Sequence, residues 1–170
     1  YRRGGLAEKM ESEKHSHDYY MGLAVELATQ HMEAGAGGPF GAVIVRAGQI
    51  IGSGWNRVTS HNDPTAHAEI SAIRAACESV GDFSLKGSVI YSTCEPCPMC
   101  LSAIWWARID AIYYASTRDD AAKIGFDDAA LYEEVSLAIQ DRRLPLRRCA
   151  IKEADALMNK WLNKKNKVPY

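Results

Sequence analysis

A chain of 170 residues, 47% hydrophobic and 24% charged, is long enough to bury one sizeable core and predicts a single globular domain. No apolar run approaches the roughly 18 residues of a membrane-spanning helix, and the opening segment lacks the apolar stretch of a secretory signal, so no membrane partner and a cytoplasmic location are the default expectations. A net charge of -1 argues against a nucleic-acid partner, which usually meets a basic surface.

The chain does not begin with Met, so residues 1–17 are set apart as an N-terminal arm or tag remnant and 18–170 are read as the folded domain. Asp18 is placed to cap a first helix, in which Tyr20, Leu23, Ala24, Leu27 and Ala28 recur at helical spacing until the glycines and proline of residues 35–39 break it. β-branched runs on either side of Ala47 and Gly48 predict a hairpin over residues 41–55. Residues 56–64 have loop chemistry, and Ile70, Ile73 and Cys77 then share one side of a helix that runs to Gly81. A short apolar strand at 88–92, a helix at 97–108 and a strand at 111–116 follow. After a polar stretch, residues 146–151 predict a last strand and 153–167 a last helix, within a C-terminal third whose excess of Arg and Lys reads as a solvated face. Strands alternating with helices after an opening hairpin predict an α/β layered fold, its mixed sheet covered on both faces.

Five cysteines without a secretory signal do not make a disulfide framework. Cys77 and Cys149 sit in apolar patterns and read as small core residues. The others belong to a sharper pattern: "TAHAEI" at residues 65–70 and "CEPCPMC" at 94–100. Each motif opens a helix, so His67, Cys97 and Cys100 project from two helix N-termini, whose partial positive charge favours thiolates. Pro96 and Pro98 suit a helix start, where a missing N–H costs little. Two soft thiolates and one imidazole suit zinc and are poor ligands for magnesium or calcium. Three protein ligands leave a fourth position for water, as in catalytic sites; the competing reading is a closed structural site completed by Cys94 or His61, in a zinc module without catalysis. Because two thiolates offset the charge of the metal, its water is less acidified than with three imidazoles, and a neighbouring base becomes useful. Glu69 is placed to take the water's proton, so that hydroxide attacks an electrophilic ring carbon, and to return protons to a ring nitrogen and a departing amine.

H-x-E with P-C-x-x-C is the signature of zinc-dependent nucleobase deaminases. With "GGPFGAVIV", "NDPTAHAE", "TCEPCPMCLSAIWWAR", "IGFDD" and the terminal "NKKNKVPY", the chain resembles, over residues 19–170, the bacterial guanine deaminases of the cytidine/deoxycytidylate deaminase superfamily. That resemblance implies a three-layer α/β/α cytidine-deaminase-like fold with a five-stranded mixed sheet. It implies one Zn2+ per subunit on His67, Cys97 and Cys100, Glu69 as principal proton shuttle and Asp128 as a second proton carrier. It further implies that Asn56 holds the carbonyl and imidazole edge of a purine base, with Phe40, Ala68 and Phe126 against the base. Residues 18–170 would then form one zinc-dependent deaminase domain whose C-terminal tail closes the active site through Tyr170. The expected assembly is a homodimer with exchanged C-terminal segments, to which one of the adjacent Trp105 and Trp106 contributes. The implied reaction is hydrolysis of guanine to xanthine and ammonia. Guanosine, cytosine or ammeline as substrate, or adenosine in tRNA, remain the alternatives.

Overall fold

The computed structural model describes residues 15–170, so the first fourteen residues of the expected arm lie outside the described chain. Helix α1 spans His17–Glu33 and is followed by strands β1 (Gly41–Arg46) and β2 (Gln49–Trp55) and a short helix α2 (Val58–His61). Helix α3 (Ala68–Val80), strand β3 (Ser88–Cys94), helix α4 (Pro98–Trp106) and strand β4 (Ala111–Ser116) form the next alternation. Helix α5 (Arg118–Lys123) precedes α6 (Ala129–Ser136) and α7 (Lys152–Leu162). The N-cap of α1 is Ser16, whose side chain accepts from the Tyr19 N–H; Asp18 instead lies in the first turn, where its charge also suits the helix dipole.

The strands form one mixed sheet in the order β2-β1-β3-β4, antiparallel between β2, β1 and β3 and parallel between β3 and β4. Backbone φ is positive at both Ala47 and Gly48, the requirement of the tight hairpin turn that joins β1 to β2. Strand β1 is central and apolar from Gly41 to Val45, all buried, because both its faces are covered. Ala42 and Ile44 pack with Ile90 against Ala68, Ala72 and Ala76 of α3 and Ile104 of α4, whereas Val43 and Val45 pack with Tyr91 against Tyr20 and Ala24 of α1. These are the three α/β/α layers.

The sheet has four strands among the described residues, not five. Residues 146–151, expected as a strand, have no ladder partner, and both Leu146 and Ile151 are exposed. Two adjacent arginines follow Pro145 there, and neither face of the segment is apolar enough to seal against a layer. Backbone contacts divide the described residues into two compact units, one that ends at Asp128 and contains the sheet and one of residues 129–170 with α6 and α7. No residue of the second unit is buried, so Cys149 is exposed rather than in a core. Helix α4 buries Pro98, Cys100 and Ile104 but leaves Trp105 at 76% and Trp106 at 59% exposure, so neither tryptophan reaches the core.

Helix α3 lies unusually close to β2. A Cβ added to Gly54 would sit 2.4 Å from the Ala72 nitrogen and 2.5 Å from the Ala68 oxygen, both backbone atoms that cannot swing aside. Gly54→Ala is therefore expected to cost about 1–3 kcal/mol in urea unfolding and to push the first turn of α3 away from the sheet. A variant as stable as the parent would refute this tight packing.

Candidate metal centre and active site

His67 and Cys97 occupy equivalent places, each the extended N-cap residue of its helix, α3 and α4; Pro98 then opens α4 and Cys100 lies in its first turn. His67 Nδ1 is 3.6 Å from Cys97 Sγ and 3.5 Å from Cys100 Sγ, and the three donor atoms lie within 4.8 Å of one another. Zinc held tetrahedrally at about 2.3 Å from sulfur and 2.05 Å from nitrogen requires an S···N separation of about 3.55 Å, so the donor set fits that ion in number, softness and spacing. Cys94 lies outside the set and turns its thiol to the Thr117 carbonyl at 3.6 Å, while burial pushes its pKa up to about 11. His61 closes α2 and is likewise not among the three. The neighbouring Cys100 thiol, with His67 supporting, draws Cys97 down to about 4, whereas the same proximity, together with burial, pushes Cys100 up. The same contact with Cys97 raises the His67 pKa.

Glu69 stands in the first turn of α3, 6% exposed, with its two carboxylate oxygens held separately. The Ser92 hydroxyl donates to Oε1 at 3.2 Å and the Cys100 thiol to Oε2 at 3.4 Å. Burial raises its pKa, which favours the protonated carboxyl over the bare carboxylate. Ser92 follows from no motif; its one signal was a hydroxyl inside an apolar strand.

A cavity of about 430 Å3, a usual size for a small-molecule site, opens above these groups. It is lined by His67, Glu69 and Cys97 together with Asn56, Phe40, Phe126 and Asp128. Phe40 and Phe126 meet edge to face with centroids 4.8 Å apart, forming an aromatic wall. Burial raises the Asp128 pKa, with the charge of Cys97 adding and Arg118 opposing. Asn56 is 7% exposed, and its Oδ1 already accepts from the Gly38 N–H at 3.2 Å and the Val58 N–H at 3.3 Å. That pairing orients the amide and leaves Nδ2 as the group available to a ligand. One expected residue does not join the cavity wall, since the Ala68 side chain is fully buried in the core; Tyr170 belongs to the second unit. Glu95, Arg118 and Asp127 do line it, although none is singled out by spacing; Glu95 sits inside the cysteine motif and accepts from the Arg118 N–H at 3.0 Å.

The zinc-binding region of cytidine and deoxycytidylate deaminases matches residues 14–116. The chain belongs to that deaminase family. Among its members, guanine deaminase of Bacillus subtilis strain 168 is 46% identical over 155 residues, 91% of this chain and 99% of that protein. The tRNA-specific adenosine deaminase of Buchnera aphidicola from Schizaphis graminum is 33% identical, covering 86% of this chain and 95% of its own. The X-ray structure of the Bacillus subtilis guanine deaminase superposes with a TM-score of 0.89 at 46% identity, over 92% of this chain and 99% of the other. One imidazole and two thiolates with a glutamate beside them is the arrangement that zinc-dependent nucleobase deaminases use, and His67, Cys97, Cys100 and Glu69 match it in kind.

Proposed function

We propose that the protein hydrolyses guanine to xanthine and ammonia, on zinc held by His67, Cys97 and Cys100. The observation that carries this reading is the 46% identity to a guanine deaminase along almost the full length of both chains, since the zinc constellation alone fits any family member. Asn56 adds chemical support. With Oδ1 engaged by backbone, it meets a ligand as a donor, and the guanine edge remote from the 2-amino group presents two acceptors, O6 and N7.

A bound zinc ion supplies Lewis-acid polarisation and an acidified water. Asn56 and the wall of Phe40 and Phe126 hold the base so that its 2-amino carbon faces Glu69. The Glu69 carboxyl accepts a proton from the attacking water and passes it to a ring nitrogen. A second transfer to the amine lets ammonia depart as the oxygen takes its place on the ring. Asp128, at the same cavity, receives the outgoing amine as second proton carrier.

An ammonia-release panel tests the assignment: guanine is expected to exceed guanosine, cytosine, adenosine and ammeline in kcat/KM. Preference for any of the others overturns it. The adenosine reading is favoured by the 33% identity to a tRNA-specific enzyme, and predicts RNA binding that weakens steeply with salt.

The second unit bears on assembly. Along α7, Ala154, Leu157, Met158, Trp161 and Leu162 form an apolar stripe, none of it buried. A homodimer that exchanges these segments would cover it and bring Tyr170 to a partner's base. Removal of the last few residues is then expected to admit guanosine while guanine turnover persists. Loss of all activity without such a gain counts against Tyr170 as the closing group.

A further inference from the structure

Trp55, the last residue of β2, lies flat on His31 of α1, with ring centroids 3.5 Å apart and planes 1° from parallel. The guanidinium carbon of Arg57 sits 3.9 Å from the centre of the same indole. Arg57 Nε is buried without a hydrogen-bond partner, so stacking rather than a polar contact holds this part of the side chain. None of the three side chains lines the cavity. Asn56, which does, is the residue between two members of the stack, directly after the end of β2.

The backbone on either side carries the same register. The Asn56 N–H donates to the Phe40 carbonyl at 3.0 Å, and the Arg57 N–H donates at 2.9 Å to the carbonyl of Ala66, which directly precedes His67. Residues 55–57 thus link the amide of Asn56 to the segment that delivers the imidazole. The approach from the other side is equally tight: a Cβ on Gly37 would fall 2.5 Å from Asn56 Oδ1.

We infer that Trp55, held by His31 and Arg57, is a positioning residue that sets the Asn56 amide against the zinc-ligand segment. The inference rests on the reading of Asn56 as the group that holds the base edge. A small displacement of a residue that orients substrate is enough to change its binding substantially.

The test is a double-mutant cycle on the full-length, zinc-loaded protein, using Trp55→Leu, Trp55→Phe, Asn56→Ala and Trp55→Leu/Asn56→Ala with guanine as substrate. Trp55→Leu is expected to raise KM about tenfold with kcat changed less than about threefold, zinc stoichiometry intact. Trp55→Phe, which retains a stacking ring, restores most of the loss, and Trp55→Leu adds little in the Asn56→Ala background because the residue it positions is gone. Penalties that simply multiply, a phenylalanine variant no better than leucine, or a loss of zinc or kcat with KM unchanged overturns the inference. Should Trp55→Leu not fold, His31→Ala removes one stacking partner from a half-buried position and must show the same KM effect and the same dependence on Asn56. If Asn56→Ala behaves as the parent enzyme, the base-edge reading itself fails and the positioning role with it.

Discussion

Glu69→Gln is expected to lower kcat for guanine by roughly two to four orders of magnitude, the range general acid–base catalysis supplies, while zinc stays at one ion per chain. Glutamine preserves shape and still accepts from the Ser92 hydroxyl through its amide oxygen, so the cavity keeps its walls. It cannot carry a proton between water, ring nitrogen and amine. Zinc content near unity together with ammonia release within about tenfold of the parent would remove Glu69 from the mechanism. The same substitution carries a stability consequence of opposite sign. Burial raises the Glu69 pKa above 4.5, so its contribution to stability is fully present at low pH and is lost as pH rises through the raised value. After chelation of the metal from both proteins, Glu69→Gln is therefore expected to melt above the parent at pH 8, with the gap closing as pH falls toward 4.5. A variant that melts lower at pH 8 contradicts the cost assigned to burying this carboxyl. Reactivity and burial thus oppose each other at one residue, a common feature of functional sites.

The three donor side chains that the fold brings together, His67, Cys97 and Cys100, were legible in the chain because their chemistry is local. A thiol pair three residues apart, with proline at the helix start, constrains its own geometry, and His67 repeats the same N-cap placement on a second helix. The apolar run of β1 announced a strand covered on both faces for a similarly local reason. What depended on distant partners was less visible. Ser92 reaches Glu69 across 23 positions of sequence, and the Asn56 amide is oriented by Gly38, eighteen positions earlier. The resemblance implied only that Asn56 meets a purine edge; the fold engages its oxygen and leaves its N–H donors. Residues 146–151 combine a short apolar run with two adjacent arginines and meet no neighbouring ladder, and a strand exists only with a partner. Trp105 and Trp106 both stay exposed because α4 is short and already fills its inner face with Pro98, Cys100 and Ile104.

Cys97→Ser is expected to abolish turnover by a different route, through loss of the ion. Serine replaces a soft anionic donor with a neutral hydroxyl that is a poor zinc ligand, and the S···N separations of 3.5 and 3.6 Å leave no other sulfur placed to substitute. Metal analysis after dialysis should find well below one zinc per chain. The melting temperature should fall, because an ion bound only by the folded state adds stability in proportion to its affinity. Cys94→Ser is the control that separates a three-ligand centre from a closed one. The Cys94 thiol faces the Thr117 carbonyl and stays protonated up to a pKa of about 11, so this variant is expected to hold zinc as the parent does. Zinc lost from the Cys94 variant, or kept by the Cys97 variant, would mean that the donors have been chosen wrongly. Both outcomes as expected leave the fourth coordination position to water, and that is what distinguishes a hydrolytic centre from a structural one.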